Sequence, residues 1–359
     1  MGNIRPGVVV VGTGFGARIH VPAARLAGLE VVALVGRDPE RTRRRADRLG
    51  IGAACSSLEE ALCLPRSDVV VIATPPATHA ALAEEAIAAG RPVLVEKPFA
   101  LDVEEARRLE AAARAAGVVA LVGHEFRFAP ERVTMQHVVR TGLLGVPRMA
   151  TLVGHMPLAA PVDMRAPDWW FDPSRGGGWL GAAVSHLVDA VRCWLGEVES
   201  VSAVLPMVSE RDPSTHAEDS VSARLRMRSG CEVALQQSAA VWGPPVQLVR
   251  ISGPVGSAEI IDGDVLLSTA DGSRVLDPAG PPVPVAVGTS DDPRHRFTHL
   301  ELGPAAVQMS VFDDLVAGRE VRYQAVKPAT FADGVAVTGV LDAIRRSARD
   351  GGVLVHVQS

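Results

Sequence analysis

The sequence predicts an α/β protein of two domains: a doubly wound parallel sheet, then a second α/β domain with an antiparallel open sheet. The parallel sheet follows from short, wholly apolar runs that alternate with helical stretches through the first third of the chain. The antiparallel sheet follows from strict alternation of Val221, Ala223, Leu225 and Met227 against Ser222, Arg224, Arg226 and Arg228, which gives a strand one apolar and one polar face. Length supports the division, since 359 residues are long for a single core.

In order, Val8 to Val11 is a β-branched run followed by a glycine-rich turn and a helix over about residues 17–26. A second strand at 31–35 precedes a helix at 39–49, and the buried run 69–73 precedes an alanine-rich helix at 77–89. Strand 92–95, helix 103–116 and strand 118–122 complete the alternation, which places a boundary near Gly123 and divides the chain into 1–123 and 124–359. Beyond it come a helix over 130–141, a strand near 148–153, a loop with Trp169, Trp170 and Phe171, and Gly176-Gly177-Gly178 leading into a helix that ends near Leu195. Cys231, Val233 and Leu235 continue the alternating pattern, residues 278–293 form a Pro/Gly/Asp-rich loop, and helices over 304–317 and 329–349 close the chain.

A net charge of −5 without a dominant basic stripe excludes general nucleic-acid binding. The densest basic run, Arg41 to Arg48, reads as a solvated helix face. Cys55, Cys63, Cys193 and Cys231 lack metal-ligand spacing and read as reduced core or near-core thiols. His295 and His299 lack cysteine or carboxylate partners at metal spacing, so no metal is expected. No apolar run reaches membrane-spanning length and no leader-like run precedes the first strand, so a cytoplasmic protein is expected.

Gly12-Thr13-Gly14-Phe15-Gly16-Ala17 follows the first strand and opens a helix, the context that a G-x-G-x-x-G/A dinucleotide motif requires. Gly12 permits the tight turn, Gly14 lets backbone approach a pyrophosphate, and Ala17 allows close helix packing. The second strand ends Val35-Gly36-Arg37-Asp38, with glycine where an NAD enzyme usually carries a ribose-binding carboxylate. Arg37 faces a 2′-phosphate or stacks on adenine, and Asp38 reaches the ribose or caps the next helix. The cofactor is NAD(P), with NADP favoured over NAD.

Val93-Leu94-Val95-Glu96-Lys97-Pro98 places a lysine just past a buried strand, where open α/β sheets bind ligands. An ammonium there stabilises a developing alkoxide, whereas a lysine that only snorkels to solvent is the plainer reading.

With these residues in hand, the chain resembles the Gfo/Idh/MocA oxidoreductases over nearly its whole length. The resemblance rests on Gly12-x-Gly14-x-x-Ala17, Thr74-Pro75-Pro76 with His79, Glu96-Lys97-Pro98, and the glycine triplet leading to His186 and Asp189. It implies an N-terminal Rossmann domain and a C-terminal α/β domain with a large, mainly antiparallel open sheet that often mediates homodimers or homotetramers. It also implies hydride exchange between a nicotinamide and a sugar, cyclitol or related hydroxyl. Gly12, Gly14, Phe15, Gly16, Ala17, Arg37, Thr74, Pro75, His79, Glu96 and Lys97 then line the cofactor. Lys97 orients the reacting hydroxyl and His186 exchanges its proton, a role that suits the titration range of imidazole. The chain departs from the family at Ala182, where an aspartate commonly stands four residues before the histidine. Asp189, at i+3 from His186, orients the imidazole or serves only the helix.

Arg127 binds substrate or bridges domains, and Trp169 with Trp170 and Trp179 forms a sugar-stacking wall or an aromatic plug. Three functions compete. The first is an NAD(P)-dependent dehydrogenase or reductase. The second is a redox-neutral enzyme that cleaves or eliminates a glycosidic group through transient oxidation. The third is a nucleotide-sensing regulator without catalysis. Lys97 and His186 favour the enzymes; Ala182 keeps the regulator in play.

Overall fold

The computed structural model describes residues 5–164, 166–284 and 297–358. The chain divides into two compact units, neither continuous in sequence: residues 1–100, 104–129 and 281–335 form one, and 101–103, 130–280 and 336–359 form the other.

The first unit begins with β1 (Gly7–Val11), α1 (Val21–Leu26, preceded by a π-helical turn at Gly16–His20), β2 (Glu30–Val35), α2 (Pro39–Leu49), β3 (Ala53–Cys55) and α3 (Leu58–Leu62). It continues through β4 (Val69–Ile72), α4 (His79–Ala88), β5 (Val93–Glu96), α5 (Val103–Ala116) and β6 (Ala120–Gly123). The six strands are parallel and ordered β3-β2-β1-β4-β5-β6, so the chain reverses direction across the sheet between β1 and β4. Val9 and Val11 pack into the core on one face, while Val8 and Val10 pack into the core on the other. Burial on both faces explains why each strand reads as a continuous apolar run rather than an alternating one. The three-residue β3 and the short α3 were not foreseen, because Ala-Ala-Cys carries little strand propensity and owes its place to pairing with β2.

The rest of the chain supplies α6 (Pro130–Arg140), β7 (Met149–His155), α7 (Ser185–Leu195), β8 (Val198–Val204), β9 (Ser220–Met227), β10 (Glu232–Ser238), β11 (Val246–Ser252), β12 (Gly256–Ile261), β13 (Asp264–Thr269) and β14 (Gly272–Leu276). Helices α8 (Thr298–Val316) and α9 (Phe331–Arg349) and strand β15 (Val355–His356) follow. The second unit carries a nine-stranded sheet ordered β14-β13-β12-β11-β7-β10-β9-β8-β15, antiparallel throughout except where β7 meets β10. Val221, Ala223, Leu225 and Met227 are buried, while Arg224 and Arg226 are exposed, as the alternation requires. The covered face packs against α7 and the later part of α9 in one continuous core.

The expected boundary near Gly123 assigned everything beyond it to the second domain. The compact units instead place residues 281–335 with the parallel sheet. Met309 and Phe312 of α8 enter the core on one face of that sheet. Gln308 donates to the carbonyl of Val122 at 2.7 Å, and the Val122 amide donates to the Ala329 carbonyl at 2.8 Å, so the returning chain covers the otherwise open β6 edge. Helical periodicity shows that a helix has an apolar face but not which core receives it. Helix α8 also starts six residues earlier than expected and runs through Pro304, a proline that is itself buried among apolar neighbours. Burial there outweighs the one backbone bond that proline omits.

Candidate functional site

The carboxyl ends of β1, β2, β4 and β5 gather the first group of site residues. Gly12 has φ +127°, and a Cβ there would lie 2.2 Å from the Ala73 carbonyl oxygen, so only glycine makes this turn. At Gly16 a Cβ would meet Val10 Cγ1 at 2.9 Å and Ala73 Cβ at 3.3 Å. Close packing of helix on strand therefore falls on Gly16, whereas Ala17, expected to provide it, is half-buried against the core. Gly14 is different. It has no left-handed φ, and a Cβ there would meet nothing within 4 Å. Neither backbone strain nor packing demands glycine at 14, and the open space before a helical segment is what close approach of a pyrophosphate needs. The residues present fit a dinucleotide.

Phe15 stacks edge-on against His20 with ring centroids 5.6 Å apart, and the Arg18 guanidinium lies 5.2 Å from the Phe15 ring centre. At the end of β2, Arg37 is exposed. Asp38 caps α2 by accepting from the Arg41 amide at 2.9 Å, which is the capping alternative. A Cβ on Gly36 would lie 2.5 Å from Thr13 Cγ2 and 2.6 Å from Thr42 Oγ1, so a side chain at that position would require both threonines to shift.

Beyond β4, Thr74 and Pro75 are half-buried, and Thr78 donates to Thr74 Oγ1 at 2.7 Å. His79 is fully buried, with Nε2 2.9 Å from the Thr74 carbonyl and Nδ1 3.0 Å from that of Pro98. Burial holds its pKa below the ordinary imidazole value despite these carbonyls and the nearby Glu96 charge. The enclosed ring sits between the loop after β4 and the turn after β5; it positions these loops and presents no surface to a ligand. Glu96, the last residue of β5, is also buried: His20 Nε2 donates to its Oε1 at 2.7 Å, and the Lys97 amide donates to its Oε2 at 3.1 Å. Burial pushes the Glu96 carboxyl up, but the His20 hydrogen bond and the charge of Lys97 bring it below its ordinary value. Lys97 is half-buried at this strand end, and the peptide to Pro98 is cis.

Two further residues of this cluster escaped sequence reading. His20 lies three residues past the glycine motif, and Glu125 opens a 3₁₀ turn (Glu125–Phe128) after β6; both are almost wholly buried. The signal was the residue type itself, a histidine or glutamate inside a segment that the fold must bury. Arg127, on the same turn, pairs with Asp333 at 3.0 Å and donates to the Lys327 carbonyl at 3.2 Å. Its side chain is only 6% exposed, so the guanidinium fastens the returning chain to this unit.

The second unit holds the second group. The glycine triplet leads into a π-helical turn (Leu180–Val184) continued by α7, where His186 and Asp189 are both buried. Ala182 lies within the π-helical turn and His186 in the first turn of α7. The helix start is anchored from far along the chain. Glu218 accepts from the Leu180 amide at 3.0 Å, the Trp179 amide donates to the Glu218 carbonyl at 2.9 Å, and a Cβ on Gly178 would strike the Glu218 carboxylate at 2.2 Å. Burial raises the Glu218 pKa, and the Leu180 amide partly offsets it. Nothing in the local sequence links residues 178–180 to 218. Arg132 donates to the His186 carbonyl at 3.1 Å and so holds the helix by its backbone. Trp169 is half-buried, with its ring 6.3 Å from that of Trp170, whose own ring lies 6.5 Å from buried Trp179. Trp170 and Trp179 belong to the core, which favours the plug for these two and leaves Trp169 as the stacking candidate. Cys55 and Cys231 are buried, Cys193 is half-buried, and Cys63 is exposed, contrary to expectation. Among the described residues no group of three or more His, Cys, Asp or Glu could hold a metal ion, and His295 lies outside those residues.

Residues 7–124 match the model of an oxidoreductase family with an NAD-binding Rossmann fold, and residues 133–259 match the C-terminal domain of the same family. The chain belongs to the Gfo/Idh/MocA oxidoreductase family. An uncharacterized oxidoreductase of Synechocystis sp. is 31% identical over 290 residues, 77% of each chain. D-apiose dehydrogenase of Paraburkholderia graminis is 28% identical over 76% of this chain and 72% of its own. A solved levoglucosan dehydrogenase in complex with NADH and levoglucosan superposes with a TM-score of 0.84 over 99% of this chain and 100% of that one. At 23% identity this last likeness is one of fold. The protein is an oxidoreductase of this family with an NAD-binding first unit.

Proposed function

We propose that this oxidoreductase transfers hydride between a nicotinamide cofactor and a sugar, cyclitol or related hydroxyl, or reduces the matching ketone. The observation that carries the reading is the presence, in one unit, of an open cradle at Gly14 after β1 and of Lys97 at the end of β5, two strands along the same sheet. Relatives named for sugar substrates, D-apiose dehydrogenase and 1,5-anhydro-D-fructose reductase, support the substrate class.

A bound nicotinamide would supply or accept the hydride. The chain's own residues do the rest. Gly12 turns the backbone, Gly14 and the following amides would hold the phosphates, and Phe15, Gly16 and Ala17 shape the helix start. Thr74 and Pro75 line the loop after β4 that His79 fixes in place. The Lys97 ammonium donates to the reacting oxygen and stabilises alkoxide character as the carbon–hydrogen bond breaks. His186 takes the hydroxyl proton as general base, with Asp189 on the same helical face as its orienting partner. Trp169 offers a flat ring to a sugar face, whereas Arg127 contributes through Asp333 rather than through substrate.

For cofactor choice, Arg37 beside a glycine rather than a carboxylate at position 36 supports NADP; the solved relatives that carry NADH stand against it. Exposed Met149, Val204, Val246, Ile261 and Val275 on strands of the open sheet support assembly of homo-oligomers, which light scattering would size. Composition supports a cytoplasmic location, and no helix among the described residues is long and apolar enough to cross a membrane.

A panel of aldoses, anhydrosugars and cyclitols, assayed at 340 nm with NAD and with NADP, tests the proposal. Sustained cofactor turnover with one sugar class is expected. Cofactor binding without net turnover would replace the dehydrogenase with the redox-neutral or sensing alternatives.

A further inference from the structure

Lys97 stands one residue past the strand ladder. The registered pairs of β5 with β6 end at Glu96 and Gly123, and the Lys97 amide donates to a side chain, Glu96 Oε2, at 3.1 Å. The other oxygen of that carboxylate, Oε1, accepts from His20 Nε2 at 2.7 Å. The side chains of His20 and Glu96 are 2% and 7% exposed, so neither meets a substrate itself. A Cβ on Gly123 would lie 2.7 Å from Glu96 Oε1 and 2.9 Å from its Cδ, so the carboxylate is seated where glycine leaves space for it.

We propose that His20 is a positioning residue for Lys97: it fixes the Glu96 carboxylate, and the carboxylate fixes the backbone from which the lysine side chain extends. The inference rests on the reading that Lys97 serves the reacting oxygen.

A carboxylate held by one donor can swing about its last bond, whereas one held at both oxygens must give up a hydrogen bond to do so. In a buried place that loss is costly, because no water replaces the missing donor. His20 closes the π-helical turn Gly16–His20 after β1, and its ring meets Phe15 edge-on at 5.6 Å. In the sheet order β1-β4-β5 its imidazole therefore reaches past one strand to the end of the next. On the other side of Lys97, the fully buried His79 has Nδ1 3.0 Å from the Pro98 carbonyl. Residues 96 and 98 are thus each met by an imidazole from a different strand-end loop, with half-buried Lys97 between them. A displacement of about 1 Å at a reacting group can cost a hundredfold in rate, which gives such a brace its value.

The composition makes the brace measurable: Lys97 and Lys327 are the only lysines in the sequence, and Lys327 is exposed. Brief acetylation of the full chain with acetic anhydride, read by peptide mass spectrometry, reports Lys97 against Lys327 as an internal reference. His20→Leu removes the donor while filling the space, and should raise the Lys97:Lys327 labelling ratio severalfold as the released lysine reaches solvent more often. His20→Gln keeps an N–H near the place of Nε2 and should bring the ratio back to that of the wild type. A ring that only filled space would be replaced better by leucine than by glutamine. Where His20→Leu fails to fold, Glu96→Gln decides: its amide offers one acceptor oxygen to two donors, so the ratio should rise there as well. An unchanged ratio in folded His20→Leu or in Glu96→Gln, or a rise that His20→Gln shares in full, would overturn the proposal. The labelling involves no substrate, so a failed sugar panel and an unbraced Lys97 give separate results.

Discussion

The parallel sheet of the first unit is covered on both faces, whereas the nine-stranded sheet of the second is covered on one and open on the other. A strand buried on both sides can present chemistry only where it ends, and Gly14, Thr74 and Lys97 all stand just past the ends of neighbouring strands. In the second unit the chemistry moves off the sheet. His186 and Asp189 ride on α7, and the start of that helix is fixed by Glu218, a residue from the loop before β9. The first site is thus placed by strand ends, with buried His79 and His20 holding the loops that leave them, and the second by a long-range side-chain anchor at a helix start. Disturbing each should separate the two kinds of dependence.

The largest effects should come from the groups that touch substrate. Lys97→Ala should lower kcat about 10²–10³-fold, the usual loss for a donor to a developing oxyanion. His186→Ala should lower it about 10²–10⁴-fold, as for a positioned general base. Both should leave NADH affinity near that of the wild type in a fluorescence titration; full activity in either variant would remove that residue from the mechanism.

Glu218→Ala should come next. It strips the Leu180 amide of its acceptor and should cost about 1–3 kcal/mol of stability in a denaturant melt. Turnover should fall with the stability while cofactor affinity holds. An equal loss of cofactor affinity would contradict the separation of the two sites.

Arg37→Ala should weaken NADP about tenfold and spare NAD, through loss of one charge-assisted contact at the end of β2. Equal losses for both cofactors would mean that Arg37 stacks on adenine. The smallest effect is a slope with pH. Because Glu125 keeps its proton in the folded protein at a pH where the unfolded chain has released it, the folded state binds more protons in that window. Stability should therefore fall as pH rises from the ordinary carboxylate range through the raised Glu125 value. Glu125→Gln should flatten that slope in pH-dependent thermal melts, and an unchanged slope would assign it elsewhere.

What could be read from the sequence follows the same division. The β1 turn, the Glu96-Lys97-Pro98 strand end and the order of elements through β6 were legible because their signals are local: apolar runs, glycines at fixed offsets and a charged pair after a strand. The alternation in β9 was legible for the same reason, since period two needs only its own residues. The return of residues 281–335 to the first unit was not, because an amphipathic pattern names no partner. Nor were His20, Glu125 and Glu218, each of which gains its role from a residue distant in sequence. Asp38 and Arg127 carried open alternatives; Asp38 caps α2 through the Arg41 amide, and Arg127 pairs with Asp333 inside its own unit. The shift of close packing from Ala17 to Gly16 needed the distance to Val10, which no motif encodes.

The central claim is that the open space at Gly14 is reserved for a dinucleotide and owes nothing to the fold. Gly14→Val tests it in one titration of NADH fluorescence, with a thermal melt alongside. The account predicts that binding is lost while Tm stays at the wild-type value, because a Cβ there meets no protein atom within 4 Å. Wild-type affinity in the folded variant would contradict it.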